Sequence, residues 1–490
     1  MSWQVRTLPD RYADSVRLMG IARALRGRDG IAACEVAMGT PANLAALSDL
    51  GAQAQATPGD VVIAIDGDGA DAEAALAEAE RMLSAGGSAG GAANGAGGPG
   101  GPAPPRSLGS ALAGLGGAAN VALVSVPGEY ATLEAHRALS RGLHVFLFSD
   151  HVSVEDEVAL KRRGGARGLL VMGPGCGTAM LGGVGLGFAN EVPSGSVGIV
   201  AAAGTGAQEV ACLVAAAGGG VSHIVGVGGR DLSAAVGGLA FRQALALLGE
   251  DEGTETVLLV SKPPSPDVVA ALADALPRGK RAVAAFVGLA DADAGYEIHD
   301  TLEAAARAAA GSPAPDVAAL EAAVDARRER TAGRTLLGLF SGGSLAHEAA
   351  TIVEPALGPV AGNVTGRDDG ASGHRLLDLG EEEYTRGRPH PMVDLDVRVG
   401  MIEEAAADGG VGCLLLDVVL GHGAHPDPAG ELAGAVARMA ERAVVVARVC
   451  GTDEDPQDAR RQTAALEAAG ALVAPSNAAA ARLAVRAVAP

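Results

Sequence analysis

The chain has 490 residues, a formal net charge of -21 and only 2% aromatic residues. The acidic balance, without clusters of Lys or Arg, argues against nonspecific binding to nucleic acid or an anionic membrane, and a prior of about 150 residues per domain predicts roughly three domains. No apolar run of about 18 residues predicts a membrane span and no N-terminal segment has signal-peptide character, so we expect a cytoplasmic protein.

Cysteine content and side-chain size restrict the chemistry further. The five cysteines are odd in number and have no C-x-x-C spacing, which predicts neither a disulfide framework nor a structural zinc site. With 72 glycines and few aromatic residues, the cores must be built from Val, Leu, Ile and Ala. That mixture suits helices packed closely on a sheet.

The first 150 residues alternate strand-like and helix-like patterns, as the βαβ units of a parallel sheet do. Helical periodicity is clearest over residues 15–26 and 70–83. The predicted strands are residues 3–8, 32–37, 60–65, 121–126 and 144–148.

Residues 84–105 interrupt this alternation. They are Gly, Ala, Pro and Ser with one Asn, which predicts a disordered insertion or linker. We place it inside the first domain, because the later strands are needed to complete the sheet; the alternative is a domain boundary at this point. The turn at residues 9–15 lacks a G-x-G-x-x-G fingerprint, so it predicts no dinucleotide site.

The second domain contains the most informative stretch. Residues 196–201 form an apolar run typical of a buried strand, Gly204-Thr205-Gly206 follows at once, and a helical pattern covers 207–217. A glycine turn at a helix start offers unpaired N–H groups and the positive end of the helix dipole, so it predicts a phosphate or carboxylate site. The strands predicted here are 197–201, 221–227, 256–260 and 282–287.

The third domain repeats this design. A strand at 336–340 runs into the turn 341–344 and a helix over 345–353, so that the spacing G-S-x-x-H-E at 343–348 matches G-T-x-x-Q-E at 204–209. The remaining predicted elements are strands at 413–420 and 444–449, the loop 421–428 between them, and a closing helix and strand.

Motifs in the middle of the chain resemble the alpha subunit of succinyl-CoA synthetase and its ADP-forming acyl-CoA synthetase relatives: MGPGC (172–176), VGIV (197–200), GT (204–205) and VGVGG (225–229). A finer resemblance is to the FdrA family, in which an alpha-like part and a ligase domain like that of the beta subunit share one chain. It is carried by SVPGEY (125–130), LFSDHVSVEDEVALK (147–161), GGGVSHIVGVGGRDLS (218–233), RGRPHPM (386–392) and LLLDVVLGHGAHPDPAGEL (414–432).

This resemblance implies an α/β fold: a Rossmann-like CoA-binding-type domain at 1–192, followed by two flavodoxin-like ligase domains of the succinyl-CoA-synthetase type at 193–311 and 335–490. In the synthetases two helix N-termini hold a phosphorylated histidine. The positions that match these helix starts are Gly204–Gly206 and the loop Gly421–His425, and we expect them to converge.

Two positions depart from the synthetases. Where they carry the phosphorylated histidine in a G-H-A-G loop, this chain has residues 288–299 without that motif, and we expect His299 to open a helix. Where they carry a glutamate that orients this histidine, the chain has Ser261-Lys262-Pro263-Pro264. A cation therefore replaces a carboxylate.

The FdrA resemblance implies an oxamate carbamoyltransferase subunit in allantoin catabolism, which works with two further subunits and converts oxalurate and phosphate to oxamate and carbamoyl phosphate. We therefore expect an oligomer with a small carboxylate substrate and phosphate or carbamoyl phosphate, and no firm cofactor. One alternative is an ADP-forming acyl-CoA synthetase that binds CoA and nucleotide. The other is a noncatalytic scaffold that binds an acyl phosphate.

Phosphate attack on a ureido carbonyl needs an anion cradle, cations and a proton donor, and the sequence offers candidates for each. Cys176 follows a Gly-Pro-Gly turn and is a substrate-contact candidate, with a small buried residue as the alternative, and Arg230 has a simple ion pair with Asp231 as its alternative. We assign no metal, although His422 and His425 with Asp417 or Asp427 are an alternative ligand set. The candidates are Gly204, Thr205, Gly206, Gln208, Gly421 and Gly423 for phosphate, Lys262, Arg230, Arg386 and Arg388 for charge, and His422 and His425 for the proton.

Overall fold

The computed structural model describes residues 2–11, 13, 15–26, 28, 30–85, 105, 107–289, 295–367, 373–385 and 388–490. The chain divides into two compact units, residues 1–110 with 385–389 and residues 111–384 with 390–490. Within the described ranges no helix has both the length and the apolar character needed to cross a bilayer. Most of the insertion predicted at 84–105 lies outside the described residues.

The first unit is built on a three-stranded sheet in the order β1-β3-β2, in which both outer strands run antiparallel to β3. The central strand is apolar and buried on both faces, with α1 and α3 on one side and α2 on the other. The elements are β1 (Ser2–Leu8), α1 (Ser15–Arg26), β2 (Ile31–Met38), α2 (Pro41–Asp49), β3 (Val61–Gly67) and α3 (Gly69–Ala85).

The prediction of one parallel sheet across the first 150 residues is therefore wrong. Alternation of strands and helices fixes the order of elements along the chain but not the direction in which strands pair. The strands after the insertion instead form a separate parallel sheet in the order β4-β5-β6. Its elements are α4 (Leu108–Gly114), β4 (Val121–Val124), α5 (Gly128–Ser140), β5 (His144–Leu147), α6 (Val154–Gly165) and β6 (Val171–Met172).

A seven-stranded sheet follows, in the order β13-β12-β11-β9-β10-β7-β8. The five strands from β13 to β10 are parallel, whereas β7 and β8 add an antiparallel edge from residues before 193. His299 ends a strand and does not open a helix, contrary to prediction. The elements are β7 (Thr178–Leu181), β8 (Val184–Gly187), β9 (Ser194–Ala202), α7 (Gly204–Ala216), β10 (Val221–Gly226), α8 (Leu239–Glu250), β11 (Thr256–Ser261), α9 (Pro266–Leu272), β12 (Arg281–Phe286), β13 (Glu297–His299) and α10 (Leu302–Ala310).

The last sheet has five parallel strands in the order β15-β14-β16-β17-β18. The predicted α/β fold class is thus confirmed. The elements are α11 (Ala318–Asp325), β14 (Thr335–Phe340), α12 (Gly343–Leu357), β15 (Arg375–Asp378), α13 (Glu382–Thr385), α14 (Asp396–Asp408), β16 (Val411–Val419), α15 (Pro428–Ala440), β17 (Val444–Cys450), α16 (Ala459–Ala468), β18 (Leu472–Ala474) and α17 (Asn477–Val488).

Four helices join the two larger sheets: α7 and α10 from the first, α12 and α17 from the second. Their apolar side chains form one buried cluster, and two buried glutamates connect them reciprocally. Glu209 on α7 accepts the N–H of Asn477 at the start of α17, at 3.0 Å. Glu348 on α12 accepts the N–H of Leu302 at the start of α10, at 2.6 Å. A helix packed on each sheet therefore caps the N-terminus of a helix packed on the other sheet.

Candidate functional site

The start of α7 is the first component of the site. Gly204, Thr205 and Gly206 are the first helical turn and not a turn before the helix, because the helix begins at Gly204 with Ala203 as its N-cap. The first N–H groups of a helix have no intrahelical acceptor. This end of α7 therefore presents hydrogen-bond donors and the positive end of the helix dipole.

The start of α12 meets the start of α7. A Cβ atom built on Gly342 would lie 2.6 Å from Cγ2 of Thr205, and one built on Gly206 would lie 3.3 Å from Cβ of Ser344. Two helix N-termini therefore converge, one from each large sheet. The internal repeat predicted from the sequence supplies both of them, since β9 leads into α7 as β14 leads into α12.

Lys262 brings a positive charge to the same point. It follows β11, and its Nζ lies 2.2 Å from the position that a Cβ on Gly343 would occupy. Across the described part of the chain, no carboxylate oxygen lies within 4.0 Å of this nitrogen. A cation at the positive end of a helix is unfavourable by itself, so this arrangement favours a bound anion.

Asp378, at the end of β15, faces the same glycine. Its Oδ2 lies 2.7 Å from the Cβ position of Gly343, and its Oδ1 accepts the N–H of Gly380 at 2.9 Å. Burial raises the pKa of Asp378 to about 6, although the Gly380 N–H and the Lys262 charge act in the opposite direction. Asp378 is not among the residues predicted for the site; an Asp that ends an apolar strand is the signal that could have found it.

His347, in the second turn of α12, was noticed only as part of the repeat. Its Nδ1 lies 2.7 Å from the carbonyl oxygen of Gly343, and because a carbonyl can only accept, Nδ1 carries the proton. Burial, followed by the charge of Lys262, lowers the pKa of His347. At neutral pH the ring is therefore uncharged, with its lone pair on Nε2.

A buried network behind the turn fixes the position of α12. Asp417, at 0% exposure, accepts the N–H of Ser341 at 2.8 Å and its hydroxyl at 2.8 Å. Arg398 donates to the Ser341 hydroxyl and to the Asp417 backbone carbonyl, each at 2.6 Å. Asp417 is thus committed to Ser341 and Arg398, which does not suit the metal role considered for it.

A small cleft opens beside the start of α7. It has a volume of about 210 Å³ including its mouth, and its walls include Cys176, Thr178, Gly204 and Gly226. Burial raises the pKa of Cys176 to about 12, and its Sγ lies 3.5 Å from the carbonyl oxygen of Thr178. The thiol therefore forms part of the cleft wall as a neutral group.

The loop Gly421–His425 is not the second helix start, contrary to prediction, because the next helix, α15, begins at Pro428. Four of its amides already have acceptors: Gly421 N–H bonds to Gln457 Oε1 at 3.0 Å, His422 N–H to Ala189 O at 2.7 Å, Ala424 N–H to Gly421 O at 3.3 Å and His425 N–H to Met392 O at 2.7 Å. Gly421 and Gly423 belong to a loop packed on residues 187–190.

The two predicted proton-transfer histidines in this loop have separate partners. His422 is about half exposed and lies 2.6 Å from the carboxylate of Glu191. Nδ1 of His425 accepts the N–H of Asp427 at 3.1 Å. Gln208 on α7 connects to this region: its Nε2 donates to Asn190 at 3.0 Å and to the Leu420 carbonyl at 3.4 Å.

Arg230, one of the arginines predicted to hold a carboxylate, already has partners in the structure. Arg230 donates to Glu157 at 3.0 Å and to the Val152 carbonyl at 2.7 Å, whereas its sequence neighbour Asp231 pairs with Lys161 at 2.6 Å. The alternative considered for Arg230, an ion pair with Asp231, is thus wrong, and its role at a carboxylate stays a prediction. Arg386 lies outside the described residues, and Arg388 belongs to the first compact unit.

Family comparison divides the chain into two matched regions. The CoA-ligase family matches residues 339–487, which include α12 and Asp378. The family described as AllF, heavy metal-associated domain, matches residues 1–97.

Individual relatives extend this comparison. The chain is 36% identical to YahF of Escherichia coli (strain K12) over 508 aligned positions, which cover 97% of each chain. It is 29% identical over 146 residues to the alpha subunit of ADP-forming succinate–CoA ligase of Methanothermobacter thermautotrophicus, covering 29% of this chain and 48% of that one. Among solved structures, apo dinucleotide-forming acetyl-coenzyme A synthetase 1 of Ca. Korarchaeum cryptofilum aligns over 75% of this chain and 82% of its own, at 16% identity and a TM-score of 0.28.

The description of the N-terminal family raises the question of a metal. Residues 1–97 contain a single cysteine, Cys34, and no histidine. Burial raises the pKa of Cys34 to about 12, whereas metal binding requires a thiolate. Among the residues that the structure describes, no three His, Cys, Asp or Glu side chains are grouped to hold an ion. These residues do not fit a metal site, and we derive no step through one.

Proposed function

The protein belongs to the FdrA family together with its relative YahF, and from this premise we propose that it is a CoA-ligase-type enzyme that forms or consumes an acyl phosphate. The observation that carries the proposal is the meeting of the N-termini of α7 and α12, with the Lys262 ammonium group at the first residue of α12. Helix starts supply fixed N–H donors and partial positive charge, and the lysine supplies a full one. The phosphoryl end of an acyl phosphate has the matching charge.

The reaction joins phosphate and an acyl carbonyl. In one direction a phosphate oxygen attacks the carbonyl carbon of an acyl-CoA thioester, the C–S bond breaks, and the sulfur leaves and takes up a proton. The products are an acyl phosphate and free CoA. Donors held by a helix need no reorganisation during such a step, and the two helix starts with Lys262 would hold the phosphoryl oxygens throughout. The match of residues 339–487 to the CoA-ligase family supports this reaction class.

Phosphate-dependent carbamoyl transfer is the second candidate. Here phosphate attacks the ureido carbonyl of oxalurate, the bond from that carbon to the oxamate nitrogen breaks, and the nitrogen takes up a proton. The product, carbamoyl phosphate, is also an acyl phosphate, so the same anion site would serve. Two observations favour this candidate: the match to the AllF domain, and residues 288–299, which contain no G-H-A-G motif for a phosphorylated histidine. This reaction needs neither nucleotide nor CoA, and we propose that two further subunits take part.

The two candidates are separated by assays with the purified full chain, alone and with the partner subunits. One reaction contains acetyl phosphate and CoA, the other carbamoyl phosphate and oxamate, and mass spectrometry follows acetyl-CoA and oxalurate above a protein-free control. Acetyl-CoA supports the CoA-ligase reaction, and oxalurate supports the carbamoyl reaction. If neither product forms, the enzyme proposal fails, and anion binding alone would then favour the scaffold.

Lysine variants connect turnover to the site. Lys262→Met should lower turnover by about 10-fold or more, since a hydrogen bond to a charged group contributes about 1.5–3 kcal/mol. Lys280→Met is the matched control, because Lys280 donates to backbone carbonyls of Asp251 and Thr254 and should retain turnover. Equal activity in the two variants would remove Lys262 from the site.

A further inference from the structure

The proposed anion site contains one acidic side chain that phosphate binding alone does not explain. Asp378 is 4% exposed, and its Oδ1 is occupied by the N–H of Gly380. Its Oδ2 has no hydrogen-bond donor among the described residues, and it points at the first residue of α12, 2.7 Å from the Cβ position of Gly343. The Asp378 side chain is thus nearly buried, while its second carboxylate oxygen is directed, without a donor among the described residues, at the N-terminus that should receive an anion.

The distances leave little room for an anion that avoids this oxygen. A Cβ atom lies about 2.5 Å from the nitrogen of its own residue, so Asp378 Oδ2 and Lys262 Nζ both lie within about 5 Å of the Gly343 nitrogen. An anion that accepts the first N–H of α12 would meet both groups. An ionised carboxylate would repel a phosphoryl dianion, whereas a carboxylic acid would donate a hydrogen bond to it.

We propose that Asp378 binds the phosphoryl group as a carboxylic acid, with its Oδ2–H donating to a phosphoryl oxygen beside Lys262. This inference rests on the anion site of the proposed function and adds a proton to it. Binding of a dianion would then be coupled to uptake of one proton by the protein. Asp378 becomes a catalytic residue in the strict sense, because it touches the substrate.

The surroundings of Asp378 make this protonation accessible. Burial is the main cause that raises its pKa to about 6, so little further change is needed for the acid to persist at neutral pH once a dianion is bound. Arg398 does little to stabilise the ionised form of Asp378, because its guanidinium donates to Ser341 and Asp417. The charged and titratable groups around the carboxyl are Lys262 after β11, Glu381 in the same segment, Asp417 at the end of β16, Arg398 on α14 and His390 beside Gly380.

Isothermal titration calorimetry with sulfate tests the proposal. Sulfate stays a dianion across this pH range, so any proton taken up on binding belongs to the protein. Comparing buffers of different ionisation enthalpy gives the number of protons per sulfate. With a free-state pKa of about 6, uptake should be about 0.9 proton at pH 7 and under about 0.1 at pH 5. Sulfate affinity should be about 10-fold higher at pH 5 than at pH 7.

Two variants locate the proton. Asp378→Asn keeps the shape and a hydrogen-bond donor, and should bind sulfate without proton uptake and with an affinity independent of pH between 5 and 7. Asp325→Asn, at a surface pair with Arg486, should behave as the wild type. Thermal unfolding of each variant verifies that it is folded, and the pH series on the wild type remains a test if Asp378→Asn does not fold.

The outcomes separate this inference from the function on which it rests. If the wild type does not bind sulfate, the anion site and the role of Asp378 both fail. If sulfate binds without proton uptake, or if Asp378→Asn still takes up the proton, the role of Asp378 is overturned while the anion site stands. In the latter case the proton belongs to another group, with His347 the first candidate because it lies beside Lys262.

Discussion

Replacing Arg448 by methionine should destabilise the protein by about 3–5 kcal/mol, because breaking a buried ion pair leaves an uncompensated charge. Glu209 is 0% exposed and Arg448 8% exposed. Nε of Arg448 donates to both carboxylate oxygens of Glu209, at 3.0 and 2.9 Å. Without Arg448 the Glu209 carboxylate keeps only the N–H of Asn477 among these donors. One neutral donor does not compensate a full negative charge.

An exposed pair in the same chain provides the matched control. Arg486 makes two hydrogen bonds to Asp325, at 2.7 and 2.7 Å, but the two side chains are 42% and 45% exposed. Arg486→Met should therefore destabilise the protein much less than Arg448→Met, because water and salt screen an exposed ion pair. Urea unfolding of both variants, followed by circular dichroism, compares the two losses directly.

A double substitution tests the same reasoning. Adding Glu209→Gln to Arg448→Met should recover part of the stability, because it removes the buried charge. Equal losses for Arg448→Met and Arg486→Met would refute the reasoning, since they would mean that burial of the pair has no energetic consequence.

Three further predictions concern single sites. Burial raises the pKa of Glu348 to about 7, so the folded protein favours the protonated carboxyl. The contribution of Glu348 to stability is therefore fully present below its unfolded pKa of about 4.5 and should fall as the pH rises to about 7. Urea unfolding at several pH values should show this decline for the wild type and not for Glu348→Gln. Gly343→Ala should lower sulfate affinity by about 10-fold or more, because the new Cβ would clash with Lys262 Nζ. Gly69→Ala is the control: Gly69 also stands at a helix start, but its Cβ would have nothing within 4 Å, so sulfate affinity should not change. Equal affinities of the two variants would contradict the prediction. Cys176 should react with iodoacetamide at pH 8 only after unfolding, because burial raises its pKa to about 12; rapid labelling of the folded protein, read by peptide mass spectrometry, would show an accessible thiolate.

Local elements follow closely from the sequence. Helix α1 has the bounds predicted for it, 15–26, and strands β9, β11, β14 and β17 were each predicted within a few residues. These elements depend on apolar periodicity and glycine turns, which act between neighbours in the chain. The repeat of strand, glycine turn and helix was visible for the same reason. Lys262 was identified differently, because it stands where the synthetases carry a glutamate.

Long-range relations were decided by the tertiary structure. The antiparallel direction of β1 and β2 on β3 leaves no trace in the alternation of elements, so the first sheet was predicted wrongly. The partner of α7 was also predicted wrongly: the loop 421–425 resembled a helix start, but its amides are used internally, whereas the start of α12 is the one that meets Thr205.

The sequence by itself determined the α/β class and the two repeated helix starts, because each depends on residues within one strand-turn-helix segment. Only the tertiary structure decided that the two helix starts meet and that Lys262 and Asp378 lie together at the start of α12. These two residues are far apart in the chain, and their strands belong to different sheets. Their proximity comes from packing four helices between those sheets, and that packing energy is summed over many apolar contacts that no single motif encodes.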